Sequence, residues 1–193
     1  MPVSHDPVDT FLAREFPGLT LHAVTSRPEV WPSLRFDLGG DIPNDAADDR
    51  VEQAVERASA IFEVAFGPDD EGFLSFTRWR EADDPLVLSL LPPGCDTRRA
   101  EGEDFYEQGE RDSPYVTRTA GVRPRSLDFR LLFDLIASSE LDRSPSIDGL
   151  VYLVNVSTPL IFHMYDDRGA MLVASNEKAL GDLRTRFAGW IIQ

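Results

Sequence analysis

The sequence predicts an α+β fold, a mostly antiparallel sheet with helices packed on one face. Three observations carry that reading. Near the C-terminus three short apolar runs, Leu150–Val154, Leu160–Tyr165 and Ala170–Ala174, are separated by two compact polar breaks, the pattern of a three-stranded antiparallel meander. Upstream, Val51, Ala54, Val55, Ala58, Ile61, Phe62, Ala65 and Phe66 recur at spacings of three and four, a broad apolar helical stripe. Ahead of both, Leu34–Leu38 alternates strictly, as a half-buried strand does.

The elements follow in order. Asp6 and Pro7 form a cap and first turn for a short helix that runs to Phe16 and stops at Pro17-Gly18. Residues 17–33 read as loop, with a candidate strand at Leu19–Val24. Gly39-Gly40 closes the strand at Leu34–Leu38, and the helix at 46–66, capped by Asn44 or Asp45, ends at Gly67-Pro68. Phe73–Arg80 reads as a strand, whereas Leu86–Leu91 is apolar all round and fits either helix or strand. Residues 92–114 read as a long acidic loop, because residues 101–112 hold six acids against one arginine. Tyr115–Thr119 is a candidate edge strand that ends before Pro124. Ser126 caps a strongly apolar helix at 127–138, and Ser175 or Asn176 caps the last helix, at 176–188. No internal repeat or long linker divides the 193 residues, so a single domain, 1–193, is expected.

Composition narrows the function classes. The net charge is -15, and it is uneven: residues 1–50 carry 9 acids and 4 bases, whereas residues 151–193 carry 4 of each. Such a surface repels phosphate backbones and anionic lipid, so neither nucleic acid nor a membrane is an expected partner. It attracts a basic protein and speeds the encounter. Cys95 is the sole cysteine, so no intrachain disulfide forms and a reducing cytoplasmic setting is expected. The N-terminus lacks the basic and apolar regions of a signal peptide, and no apolar run is long enough to span a bilayer.

The densest charged cluster inside the ordered-looking part is His163, Asp166, Asp167 and Arg168. These residue types suit a divalent metal or acid–base chemistry, with Arg168 holding an anionic substrate. Asp-Asp-Arg-Gly equally suits a tight turn, in which the aspartates accept turn amides, Arg168 pairs with a carboxylate and Gly169 takes positive φ. The turn reading is favoured, and no cofactor or metal is expected. Leu38-Gly39-Gly40-Asp41 lacks every phosphate-loop signature and is followed by acids, so it reads as a turn. Cys95 has no neighbour in sequence that would activate it, and no serine stands in a nucleophile elbow. The acidic stretch contains Glu103, Asp104, Phe105, Tyr106 and Glu107, in which charge would steer a basic partner and the rings would anchor it.

On the residues LRFDLGG (34–40), RVEQAVERASAIFEVAF (50–66), VYLVN (151–155), IFHMYDDRGAMLVAS (161–175) and the closing Trp190-Ile191, the chain resembles the bacterial domain-of-unknown-function family 3885. The resemblance covers half to two thirds of the chain and leaves 80–125 unmatched. It implies a small, soluble, bacterial α+β domain and carries no catalytic residue over. The sequence therefore points first to a non-catalytic acidic interaction protein, of the immunity or inhibitor kind. The second expectation is a small enzyme or metal-binding protein built on the 163–168 cluster, and the third a homodimer formed through an uncovered sheet face.

Overall fold

A strand that alternates apolar and polar residues buries one face only, whereas one that is apolar throughout must be covered on both. Strands of both kinds meet in one sheet. The computed structural model describes residues 7–24, 30–43, 45–79, 85–104, 113–141 and 143–192. Its strands are β1 (Ser33–Asp37), β2 (Gly72–Trp79), β3 (Thr97–Asp104), β4 (Ser113–Val122), β5 (Leu150–Asn155), β6 (Leu160–Met164) and β7 (Gly169–Ala174). They form a seven-stranded sheet in the order β1-β7-β6-β5-β2-β4-β3, with every neighbouring pair antiparallel. The meander β5-β6-β7 sits at its centre and is buried along nearly its whole length.

The helices are α1 (Pro7–Glu15), α2 (Ala47–Ala65), α3 (Pro85–Ser89), α4 (Phe129–Ala137) and α5 (Gly181–Arg186). The stripe of α2 and the apolar faces of α4 and α5 pack on one face of the sheet, against Phe36, Phe76, Leu153, Phe162 and Leu172. Phe62 is the hub there, stacked on Phe66 and edge-on to Phe133 and Phe162. The opposite face carries Tyr152, Val154, Ile161, Met171 and Val173, and α1 covers it with Val8, Phe11 and Leu12. A three-residue 3₁₀ turn, Leu21–Ala23, stands where a strand was a candidate.

Several local expectations are corrected. Residues 92–114 are not a continuous loop: β3 occupies 97–104 and pairs along its length with β4. Its composition argues against a strand, and the ladder offered by β4 overrides that weak preference. The rest of the acidic stretch, residues 105–112, lies outside the described residues. β4 is longer than expected and is an interior strand, with β3 on its outer side. Leu86–Leu91 resolves as the short helix α3. Helix α4 is capped by Asp128, which accepts from the Leu131 amide at 3.1 Å, rather than by Ser126. Asp45 does not cap α2, whose N-cap is Ala46, and Asn44 lies outside the described residues. Asn176 caps the 3₁₀ turn Glu177–Leu180 that leads into α5, through the Ala179 amide at 3.2 Å, while α5 itself has Leu180 at its N-cap and no side-chain cap.

Candidate functional site

The β6–β7 hairpin turn follows from its sequence. Asp166 accepts at Oδ1 from the Arg168 amide at 2.7 Å and the Gly169 amide at 3.2 Å, the geometry of an aspartate that closes its own turn. Its Oδ2 accepts from Arg168 Nε at 2.7 Å and also from Nη2. The hydrogen bond to Asp166 and then its charge raise the Arg168 pKa above its ordinary value. Gly169 does not adopt positive φ, which corrects the expectation. It is glycine for space: a Cβ there would collide with the Tyr165 ring hydroxyl and lie 2.9 Å from the Phe36 carbonyl.

Asp167 points away from the turn and forms a buried ion pair with Arg50 near the start of α2. Arg50 Nη1 also donates to the Ile42 carbonyl at 2.6 Å. Gln53, one turn on, donates to the Gly39 carbonyl at 2.6 Å, and Arg57 donates to the Asp37 carbonyl at 3.0 Å. The Leu38 amide donates to the Arg168 carbonyl at 2.9 Å. Leu38-Gly39-Gly40 is thus clasped between one face of α2 and the 166–169 turn. Gly39 is required by that clasp, since a Cβ would stand 2.6 Å from Arg50 Nη2, and Gly40 by its φ of +55°.

His163 lies on the α1 side of the sheet and is 1% exposed. It stacks on Tyr152 with ring centroids 4.4 Å apart, and its Nδ1–H donates to the Val151 carbonyl at 2.8 Å. Burial pushes its pKa down to about 4, so the ring is neutral at pH 7. Burial also raises the Tyr152 hydroxyl above its ordinary range. The four residues of the 163–168 cluster therefore do not converge on one point. Asp166 and Asp167, 3% and 2% exposed, each engage a different arginine, and His163 bonds to backbone across the sheet. Among the described residues no group of three His, Cys, Asp or Glu side chains is placed to hold a metal ion.

Of the residues expected to meet a partner, Glu103 and Asp104 belong to the backbone of β3, opposite Pro114 and Ser113, while Phe105, Tyr106 and Glu107 lie outside the described residues. β3 is the last strand of the sheet on that side. The opposite margin is partly closed, because Ile191 bridges to Phe36 and the Ile192 amide donates to the Arg35 carbonyl at 2.9 Å.

The sequence profile of a domain of unknown function, DUF3885, matches residues 8–193. The chain belongs to the DUF3885 family. The match takes in the region 80–125 that the resemblance in sequence had left unplaced. No curated protein and no solved structure matches the chain. Among the described residues no helix is long and apolar enough to cross a membrane.

What sequence reasoning missed is a polar row running across the α1 face. The registers place Arg98, Thr119, Ser75 and Tyr152 side by side, and stacking continues the row to His163. Ser75 and Thr77 alternate with Leu74 and Phe76 in sequence, which reads as an outward, solvated face. The one signal against that was the apolar stripe of α1, which needed a surface to cover.

Proposed function

We propose that this DUF3885 protein is a non-catalytic binding protein of the bacterial cytosol, and that it captures a cationic protein segment by adding it as a strand beside β3. One observation carries the reading: the eight-residue strand β3 ends the sheet and has acids at Glu101, Glu103 and Asp104. An edge strand presents a row of backbone donors and acceptors, which an incoming extended segment satisfies. The -15 charge of the chain selects a basic segment and repels a second copy of the same edge. An immunity-type or inhibitor role is the form of such binding that fits a small acidic domain.

A fluorescent peptide of alternating lysine and valine tests it by anisotropy, against the same peptide with glutamate for lysine. The cationic peptide should bind at low salt and weaken about tenfold or more in 0.5 M salt, where the screening length falls to roughly 4 Å. Changing Glu101, Glu103 and Asp104 together to Lys should abolish binding and leave the fold intact by circular dichroism. Equal binding of both peptides, or binding unaffected by the triple change, refutes the proposal.

A further inference from the structure

Between α1 with its following turn and the outer strands β2, β4 and β3 lies a groove of about 680 Å³. That volume falls in the range of roughly 300–1,000 Å³ usual for small-molecule sites. Its upper wall is apolar, with Leu12 and Leu19, and its floor is the hydroxyl-bearing side of the sheet, Ser75, Thr117 and Thr119. Ser75 is 1% exposed, and its Oγ has no hydrogen-bond partner among the described residues. Beside it, Thr77 Oγ1 and Thr117 Oγ1 are 2.8 Å apart, and Thr77 Oγ1 lies 3.5 Å from His22 Nε2. Tyr115, whose ring is 4.9 Å from that of His22, forms one side, and Asp9 and Arg98 both line the groove.

We propose that this groove binds a neutral, multiply hydroxylated small molecule of the sugar or nucleoside class. Burying a hydroxyl without a partner costs about 1–3 kcal/mol, so Ser75 is a group placed for a bond that no described residue makes. Hydroxyls donate and accept interchangeably, and a floor built of them matches a ligand whose groups do the same. A carboxylate or phosphate asks for donors alone and must approach a strongly acidic chain. The charged residues that line the groove balance, Asp9 and Glu101 against Arg98 and Arg99, so an ammonium finds no net charge there to pair with. The apolar wall and the Tyr115 ring suit the C–H face of a sugar ring or a base. The groove shares Arg98 to Glu101 with β3, but its floor of Ser75, Thr117 and Thr119 lies on the sheet face and not along the β3 edge, so loss of peptide binding and loss of small-molecule binding are read separately.

Saturation-transfer NMR on the full chain tests it, with maltose and uridine as neutral probes and gluconate and glucosamine as charged ones. Transfer to a neutral probe is expected, and it should vanish in Ala100→Trp, whose exposed position lines the groove and fills it. Ala13→Trp, exposed on the opposite wall, is the second plug should the first variant fold poorly. Ser75→Ala should weaken the neutral probe about tenfold, as loss of one hydrogen bond does, while melting no lower than the parent. No transfer to either neutral probe, preference for a charged probe, transfer that survives a folded plug variant, or a lower melting temperature for Ser75→Ala overturns the proposal.

Discussion

Cutting the Arg50–Asp167 pair is the sharpest perturbation the structure offers. The side chains are 10% and 3% exposed, so neither charge has water to fall back on. Removing one member of such a pair leaves an uncompensated buried charge, at about 3–5 kcal/mol. Arg50 also holds the Ile42 carbonyl, so Arg50→Met loses a second bond and sits at the upper end of that range. Asp167→Leu keeps the Ile42 bond but strands the guanidinium. Each should remove a large share of the roughly 5–15 kcal/mol expected of a single domain, and lower the melting temperature by on the order of 10 °C. The double variant should recover most of the loss, because it leaves no orphan charge.

Urea denaturation of the parent, the two single variants and the double variant, followed by circular dichroism, closes the cycle. The expected coupling is about 2 kcal/mol or more, with the slope on denaturant unchanged. A cost under about 1 kcal/mol for Asp167→Leu, as exposed ion pairs give, would refute the clasp account. Additive single effects would refute it equally.

Three further outcomes follow from the same geometry. His163 has a folded pKa of about 4 against 6.5 unfolded, so the unfolded chain binds the extra proton. Its contribution is therefore complete above pH 6.5, declines as the pH falls and levels off near pH 4, a loss of about 3 kcal/mol; His163→Phe should flatten that part of the stability profile measured in urea between pH 7 and 4. Gly169→Ala should destabilise by about 1–3 kcal/mol through contact with Tyr165 and the Phe36 carbonyl, and Tyr165→Ala in the same chain should restore part of it, as thermal melts would record. Tyr152→Phe deletes a buried hydroxyl with no partner among the described residues, so it should melt at or above the parent temperature; a drop of several degrees would reveal a bond that the hydroxyl makes.

The meander and α2 were legible because their signals are local. Short apolar runs broken by Asp-Asp-Arg-Gly, and a stripe that repeats every three or four residues, specify elements without help from elsewhere. Asp166 was legible for the same reason, since its bonds reach only to 168 and 169. Asp167 was not, because its partner lies 117 residues away and adjacency to Asp166 implied a shared role. Strand β3 was hidden by its acids and glycine, which describe an exposed edge as well as they describe a loop. The groove was invisible in principle: Ser75, Thr119, Arg98 and Leu12 come from four elements, and no spacing links them.

The two faces of the sheet differ in a way that bears on where function resides. Beneath α2, α4 and α5 the central contacts are aromatic and aliphatic, and Ser59 of α2, whose buried hydroxyl also has no partner among the described residues, does not line the groove. Beneath α1 the centre is apolar too, yet a histidine, a tyrosine and a serine are buried there in register, and the hydroxyls of Tyr152 and Ser75 have no partner among the described residues. Methyl-for-hydroxyl replacements would make that face more stable at no cost to the fold. A polar row that weakens its own core, and opens at one end into a groove, is explained by a ligand that completes its hydrogen bonds. The Asp-Asp-Arg-Gly turn shows the opposite pattern, since both of its buried carboxylates are already satisfied within the chain. The physical criterion that separates the two places is therefore satisfaction rather than charge density, and it directs the search for a ligand to Ser75 and away from Asp166 and Asp167.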